Sequence, residues 1–457
     1  MNKETRGASG WLVLAAIAGL LGIAGAFVLT PEFAGLLKGG DGALSPKLLE
    51  KMWLLRWAAL FGGGLLIALA GFGSRKGIAA FAAVAVAVAA ALVFVQSNFP
   101  NNLLGHPKRL SRAILGQDLL LKDYDPMPAL TVPVTEVKRA KFPTINIHAH
   151  FERTADKRTA DQMVAIMDNT NVVATANLDS GVGKYFQSQM QKFASKNPER
   201  FLMFASIGMD KPMEDWDYFY SIVDNLGEDQ KAGARGLKIW KQLGLMWRDE
   251  KGELIPVDDP RIDPMWTKAG ELKLPVLIHL ADPPAAWQPI DRNNERYEQY
   301  TYFSPEWWFG PPEYPRPATI LSQFEKVLEK HPDTKFIGAH LMMLAQDLQQ
   351  CAGFLDRHPN LNVDLSAMVS ELGRQPFTAR DFMIKYQDRI LFGTDGNPNE
   401  DIYAEYFRVM ETSDQYFEYP KYRRYNAGRW YIYGLDLPDD VLKKVYHDNA
   451  ARILGIQ

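Results

Sequence analysis

From residue 144 onward, short apolar runs alternate eight times with longer amphipathic stretches, and few folds accept that rhythm. The runs are 144–150, 172–178, 201–208, 235–240, 275–280, 335–340, 361–366 and 390–394. Short runs rich in Val, Ile, Leu and Phe read as strands buried on both faces, as in a parallel sheet covered by helices. Three of them share a lead-in ending in proline: Lys196-Asn197-Pro198, Lys330-His331-Pro332 and Arg357-His358-Pro359. Each reads as a helix end, a proline stop and a new strand, so one βα unit recurs along the chain. Eight such units over about 315 residues predict an α/β protein built as a (β/α)8 TIM-type barrel with insertions. An open doubly wound sheet is the alternative. It lacks its usual support, because no Gly-x-Gly-x-x-Gly turn follows the first run and no P-loop occurs.

The first hundred residues differ in character. Trp11–Leu29, Met52–Gly71 and Gly77–Val95 are apolar runs, each near the roughly 20 residues that cross a ~30 Å hydrocarbon core as a helix. They predict an all-α membrane-spanning region of about three helices over 1–97, with spans at about 11–29, 52–71 and 77–95. The expectation is an integral membrane protein with the lipid bilayer as a partner. A cleaved leader is the alternative for the first run. Basic residues flanking the spans do not fix the side on which the large domain lies. Residues 98–141, interrupted by Pro100, Pro107, Pro126, Pro128 and Pro133, form a linker, and the barrel domain covers 142–457.

Polar residues gather where the runs end. His148 and His150 lie two apart in Ile145-Asn146-Ile147-His148-Ala149-His150. Side chains alternate along a strand, so both imidazoles face one way and make half of a divalent-metal site. Lys238 lies near the end of the fourth run, His279 ends the fifth, His340 ends the sixth, and Asp395 follows the eighth. Barrel active sites sit at the C-terminal ends of the strands, so the fold would bring these groups to one rim. His331 and His358, in the proline-bearing turns, are expected at the surface. Cys351 is the only cysteine, which excludes an intrachain disulfide and a cysteine-based zinc site. A net charge of −3 and the lack of basic-aromatic patches argue against nucleic acid as a partner.

These pieces, with Phe392-Gly393-Thr394-Asp395-Gly396 and the tail Asn449-Ala450-Ala451-Arg452-Ile453-Leu454-Gly455, make residues 142–457 resemble the amidohydrolase superfamily. The resemblance is to the amidohydrolase-related branch that includes aminocarboxymuconate-semialdehyde decarboxylase. It implies one divalent ion held by His148, His150, His279 and Asp395, with zinc expected first and manganese second. It implies His340 as a general acid/base residue, and it offers Lys238 as a bridging or substrate-facing lysine.

The expected activity is that of a membrane-anchored metal-dependent hydrolase, in which a metal-activated water attacks a carbonyl-type bond (amide, ester or lactone) of a small molecule. Asp395 and His340 are its catalytic residues. The alternative is non-oxidative decarboxylation of an unsaturated or aromatic carboxylate on the same metal. A non-catalytic membrane-bound binding module is the second alternative, and it would need a degenerate ligand set. An oligomer is left open. Residues 284–316 hold nine aromatic residues and read either as a lid over the metal or as a rim loop packed on itself. Arg374, after the seventh run, reads as a carboxylate or phosphate clamp or as one end of a surface ion pair.

Overall fold

In the computed structural model the described residues are 128–152, 158–207, 215–310, 313–419 and 428–456. Eight strands form one sheet in sequence order: β1 (Thr144–Ala149), β2 (Val172–Asn177), β3 (Phe201–Ile207), β4 (Gly236–Ile239), β5 (Val276–Ile278), β6 (Phe336–Gly338), β7 (Leu361–Asp364) and β8 (Ile390–Leu391). Every neighbouring pair is parallel. That order is a barrel's and not that of a doubly wound sheet. Each sequence run contains its strand, and all the strands except β2 are buried along their whole length.

The sheet curls until β8 meets β1. Across that seam the Ile147 N–H donates to the Phe392 carbonyl at 2.9 Å, and the Asp395 N–H donates to the His148 carbonyl at 2.9 Å. Gly393 allows the close approach, since a Cβ there would stand 2.8 Å from His148 Cβ and 3.2 Å from Ser366 Cβ. The C-terminal helix Asn449–Leu454 fastens the other end of β8. The Asn449 amide donates to the carbonyls of Ile390 (2.8 Å) and Gln387 (2.7 Å).

Local chemistry starts and stops the surrounding helices. Thr159 and Gln162 form a capping box on helix Ala160–Thr170. Asp215, Asp347 and Asn399 cap helices Trp216–Lys231, Leu348–Arg357 and Glu400–Glu411 by accepting from backbone N–H groups of the first turn. Helices Asp263–Glu271, Pro317–Lys330 and Pro376–Lys385 carry proline in the first turn, where its missing N–H costs nothing. The proline lead-ins behave as expected: the His331 and His358 N–H groups close the last turns of their helices at 3.0 Å each. Their side chains are not at the surface, however. His331 is buried against Asp263 at 3.1 Å and His358 against Glu325 at 3.0 Å, because acidic partners on the preceding helices draw both rings inward.

Leu130–Gln457 forms one compact unit. Within the expected linker, Thr135 donates through its N–H and its hydroxyl to Asp414 at 2.8 Å each, which docks this irregular stretch on the barrel. The expected spans 11–29, 52–71 and 77–95 lie outside the described residues. Among the described residues no helix is long and apolar enough to cross a membrane. The longest of them, Trp216–Lys231, has 16 residues, and its turns carry Asp217, Asp224, Glu228 and Lys231. At about 24 Å it falls short of the ~30 Å core. The expectation of an integral membrane protein partnered by a bilayer is corrected on that finding.

Candidate metal centre

The end of β1 brings two imidazoles to one point. The rings of His148 and His150 lie 5.4 Å apart, and each Nε2 is 3.2 Å from Asp395 Oδ1, which arrives from the turn after β8. Asp395 occupies the left-handed region (φ 64°), which aspartate accepts more readily than most residues. Two donors bonded to one ion at about 2.1 Å lie about 3.0–3.4 Å apart, so both separations suit a shared cation.

Each imidazole is oriented from behind. His148 Nδ1 lies 2.8 Å from Asp364 Oδ2, and His150 Nδ1 lies 2.7 Å from Asp179 Oδ1. A carboxylate can only accept, so both Nδ1 atoms carry the proton and both Nε2 lone pairs face Asp395. His340 Nδ1 is 2.8 Å from the Ser366 carbonyl, which sets the same tautomer. Asp364 also accepts from the N–H groups of His340 (2.9 Å) and Ser366 (3.0 Å). Residues His340 to Met343 all take positive φ, from 53° to 58°, in a buried left-handed turn that begins at β6.

His279 stands beside this group, its ring 4.4 Å from that of His340, which in turn lies 4.7 Å from His148. The Nε2 atoms of His148 and His279 are buried without an aligned hydrogen-bond partner. Lys238 is fully buried on β4, with its Nζ 5.1 Å from the Trp240 ring centroid. Burial lowers the pKa of His340 to about 4, and it holds His279 well below the ordinary histidine value, with His340 and Lys241 adding to the effect. For Asp395, burial pushes upward, but the His340, His148 and His150 rings hold it well below the usual carboxylate range. His150 goes the other way. Burial opposes its charge, yet hydrogen bonds to Asp179 and Asp395 leave its pKa raised.

A cavity of about 330 Å³ opens on His279, His340 and Asp395. A larger groove of about 570 Å³, between helices Pro317–Lys330 and Leu348–Arg357, holds none of these side chains. The described part of the insertion 284–316 packs on itself and also reaches the cavity wall. Trp287, Phe309 and Tyr314 pack on one another, whereas Arg296, Gln299, Ser304 and Trp307 reach the cavity wall. Arg374 lies off that wall, bound to Glu295 at 2.8 Å and stacked 4.0 Å from the Trp430 ring centroid. The arginine on the wall is Arg296, buried against Glu371 and Gln299. The sequence reading did not single out Asp179, Asp364, Lys241 or Arg296. Asp364 does close an apolar strand as His279 does, and that signal could have found it.

Residues 141–456 match the amidohydrolase family model. The chain belongs to that family. It is a metal-dependent enzyme of the amidohydrolase superfamily, and the donor set just described fits the divalent ion that membership implies. Among solved structures this amidohydrolase is similar to 2,6-dihydroxybenzoate decarboxylase from Rhizobium (16% identity, 69% of this chain and 99% of that one, TM-score 0.44). It is also similar to a dihydroxybenzoic acid decarboxylase from Polaromonas sp. JS666 with bound manganese and the inhibitor 2-nitroresorcinol (15%, 69% and 97%, 0.46). A third is a probable 2-pyrone-4,6-dicarboxylic acid hydrolase from Acinetobacter baumannii with citric acid bound (11%, 69% and 100%, 0.37). No curated protein matches the chain.

Proposed function

We propose that this amidohydrolase is a metal-dependent, non-oxidative decarboxylase of a small planar carboxylate. The observation that carries the reading is Lys241. An ammonium has three N–H donors. Asp282 occupies one direction at 2.6 Å, and the Trp307 face occupies another at 3.4 Å from the ring centroid. The third is left for an acceptor on the wall that also carries His279 and Asp395. A carboxylate fits that donor beside a cationic centre. Trp307, Met343, Met368, Val369 and Tyr419 offer apolar and aromatic surface to a flat unsaturated skeleton, beside Arg296, Gln299, Ser304, Ser370 and Glu405 on the same wall. Such a skeleton can hold the electron pair left behind when carbon dioxide departs.

His148, His150, His279 and Asp395 would hold the ion, with Nε2 lone pairs already directed by Asp364 and Asp179. Imidazole and carboxylate donors suit zinc first and manganese second. Bound there, the ion would supply positive charge and polarise substrate oxygens. Asp395, held ionised, would accept a proton from a hydroxyl of the substrate or from water and deliver it to the carbon that loses carbon dioxide. His340, neutral with Nδ1–H on the Ser366 carbonyl, would accept a hydrogen bond at Nε2 and orient the substrate.

Metal-loaded protein given aromatic and unsaturated monocarboxylates in ¹⁸O-water is expected to release carbon dioxide and to leave an organic product free of label. Label entering a cleaved ester, amide or lactone, with no carbon dioxide released, would return the site to hydrolysis. Lys241→Met is expected to raise KM about 10- to 100-fold, from the loss of one charge-assisted hydrogen bond of ~1.5–3 kcal/mol.

A further inference from the structure

We infer that Asn146 is a positioning residue that sets the spacing between the donors from β1 and from the turn after β8. The inference rests on the metal-site reading but not on the reaction class. Asn146 is fully buried on β1, two residues before His148. Its Oδ1 accepts from the backbone N–H groups of His148 and Thr394, both at 3.2 Å. Its Nδ2 donates to Thr394 Oγ1 at 3.1 Å and to the Tyr403 hydroxyl at 3.2 Å. Backbone N–H groups only donate, so the amide can sit only one way round.

Two of these partners matter most. His148 carries one converging Nε2, and Thr394 is bonded directly to Asp395. One side chain therefore grips both edges of the seam beside two of the groups that would share an ion. The seam needs such a grip, because β8 has only two residues in its ladder. Metal–ligand bonds tolerate only about 0.2 Å of error, so a small drift of β8 against β1 would spoil the 3.2 Å spacing between His148 Nε2 and Asp395 Oδ1. Asn146 does not line the cavity and lies behind these groups. It acts through His148 and Asp395 and not on the substrate.

The test is titration of the metal-free protein with Mn²⁺ or Zn²⁺ alone, read by calorimetry. Asn146→Leu removes all four bonds at similar volume and is expected to weaken binding about 10- to 100-fold, the range for residues that orient metal ligands. Asn146→Asp keeps the acceptor for both N–H groups, and its second oxygen can accept from Thr394 and Tyr403. It is expected to recover most of the affinity. Leu361→Ala, a buried truncation on β7 outside this network, weakens the barrel generally and is expected to leave the affinity within about twofold of wild type, well short of the Asn146→Leu loss. Wild-type affinity in Asn146→Leu, or an equal loss in Leu361→Ala, would overturn the inference. If Asn146→Leu does not fold, Thr394→Val removes one of the four bonds, and an unchanged affinity there would overturn it too. A wild-type protein that binds neither ion would instead remove the metal-site reading.

Discussion

A carboxylate as deeply buried as Asp364 is costly unless its charge is used. Here the His148 ring and two backbone N–H groups use it. Burial raises its pKa, but the His148 and His340 rings and the Ser366 hydroxyl bring it well below the usual carboxylate range. The histidines were legible in the sequence because each ends an apolar strand. Asp364 was harder to see, since its partner His148 lies 216 positions away and only the closed fold brings them together. Arg374 and Arg296 make the same point. Both lie in polar stretches, and only the folded chain shows that Glu295 and Trp430 hold the first away from the cavity. The raised pKa of His150 gives a pH prediction. Proton and metal compete for its Nε2, so metal affinity should be full above that pKa and fall as pH drops through it, by about tenfold per pH unit. His340, at about 4, stays neutral over that range and adds nothing to the slope. Calorimetric titrations with Mn²⁺ between pH 8 and 5 would check this, and a flat profile would exclude His150 as a ligand.

At the scale of elements, all eight strands were readable because burial on both faces makes them plainly apolar. Their ends were less clear. The eighth run spans 390–394, but its ladder stops at Leu391, since Gly393 and Asp395 serve the seam and the site. The turn His340–Met343 was invisible, because no glycine or asparagine marks its four positive φ values. Packing and the Asp364 bond to His340 sustain it against the left-handed penalty of ~1–2 kcal/mol per residue. Gly393 allows a sharper test. The methyl of Gly393→Ala meets the Cβ atoms of His148 and Ser366, which are not ends of flexible chains. We expect it to destabilise the protein by ~1–3 kcal/mol in urea unfolding and to weaken metal binding as well.

Across the whole molecule, the barrel and its family were legible from residue 142 onward, whereas the choice between hydrolysis and decarboxylation was not. That choice depends on which donors line the cavity, and Lys241 and Trp307 meet there from separate parts of the chain. The proposed donors come from β1, the turn after β8 and the end of β5, so a metal bound there would stabilise the folded state alone. At 100 times its dissociation constant an ion should contribute ~2.7 kcal/mol. A chelator is therefore expected to lower Tm by several degrees, and an unchanged Tm would argue against a resident ion. The meeting of β8 and β1 gives that loss a location. A hoop parts first at its clasp, and here the proposed ion site adjoins the clasp. Stripped of metal, the enzyme should exchange the amide hydrogens of Ile147 and Asp395 for deuterium sooner than those of β3 and β4, which carry none of the proposed donors.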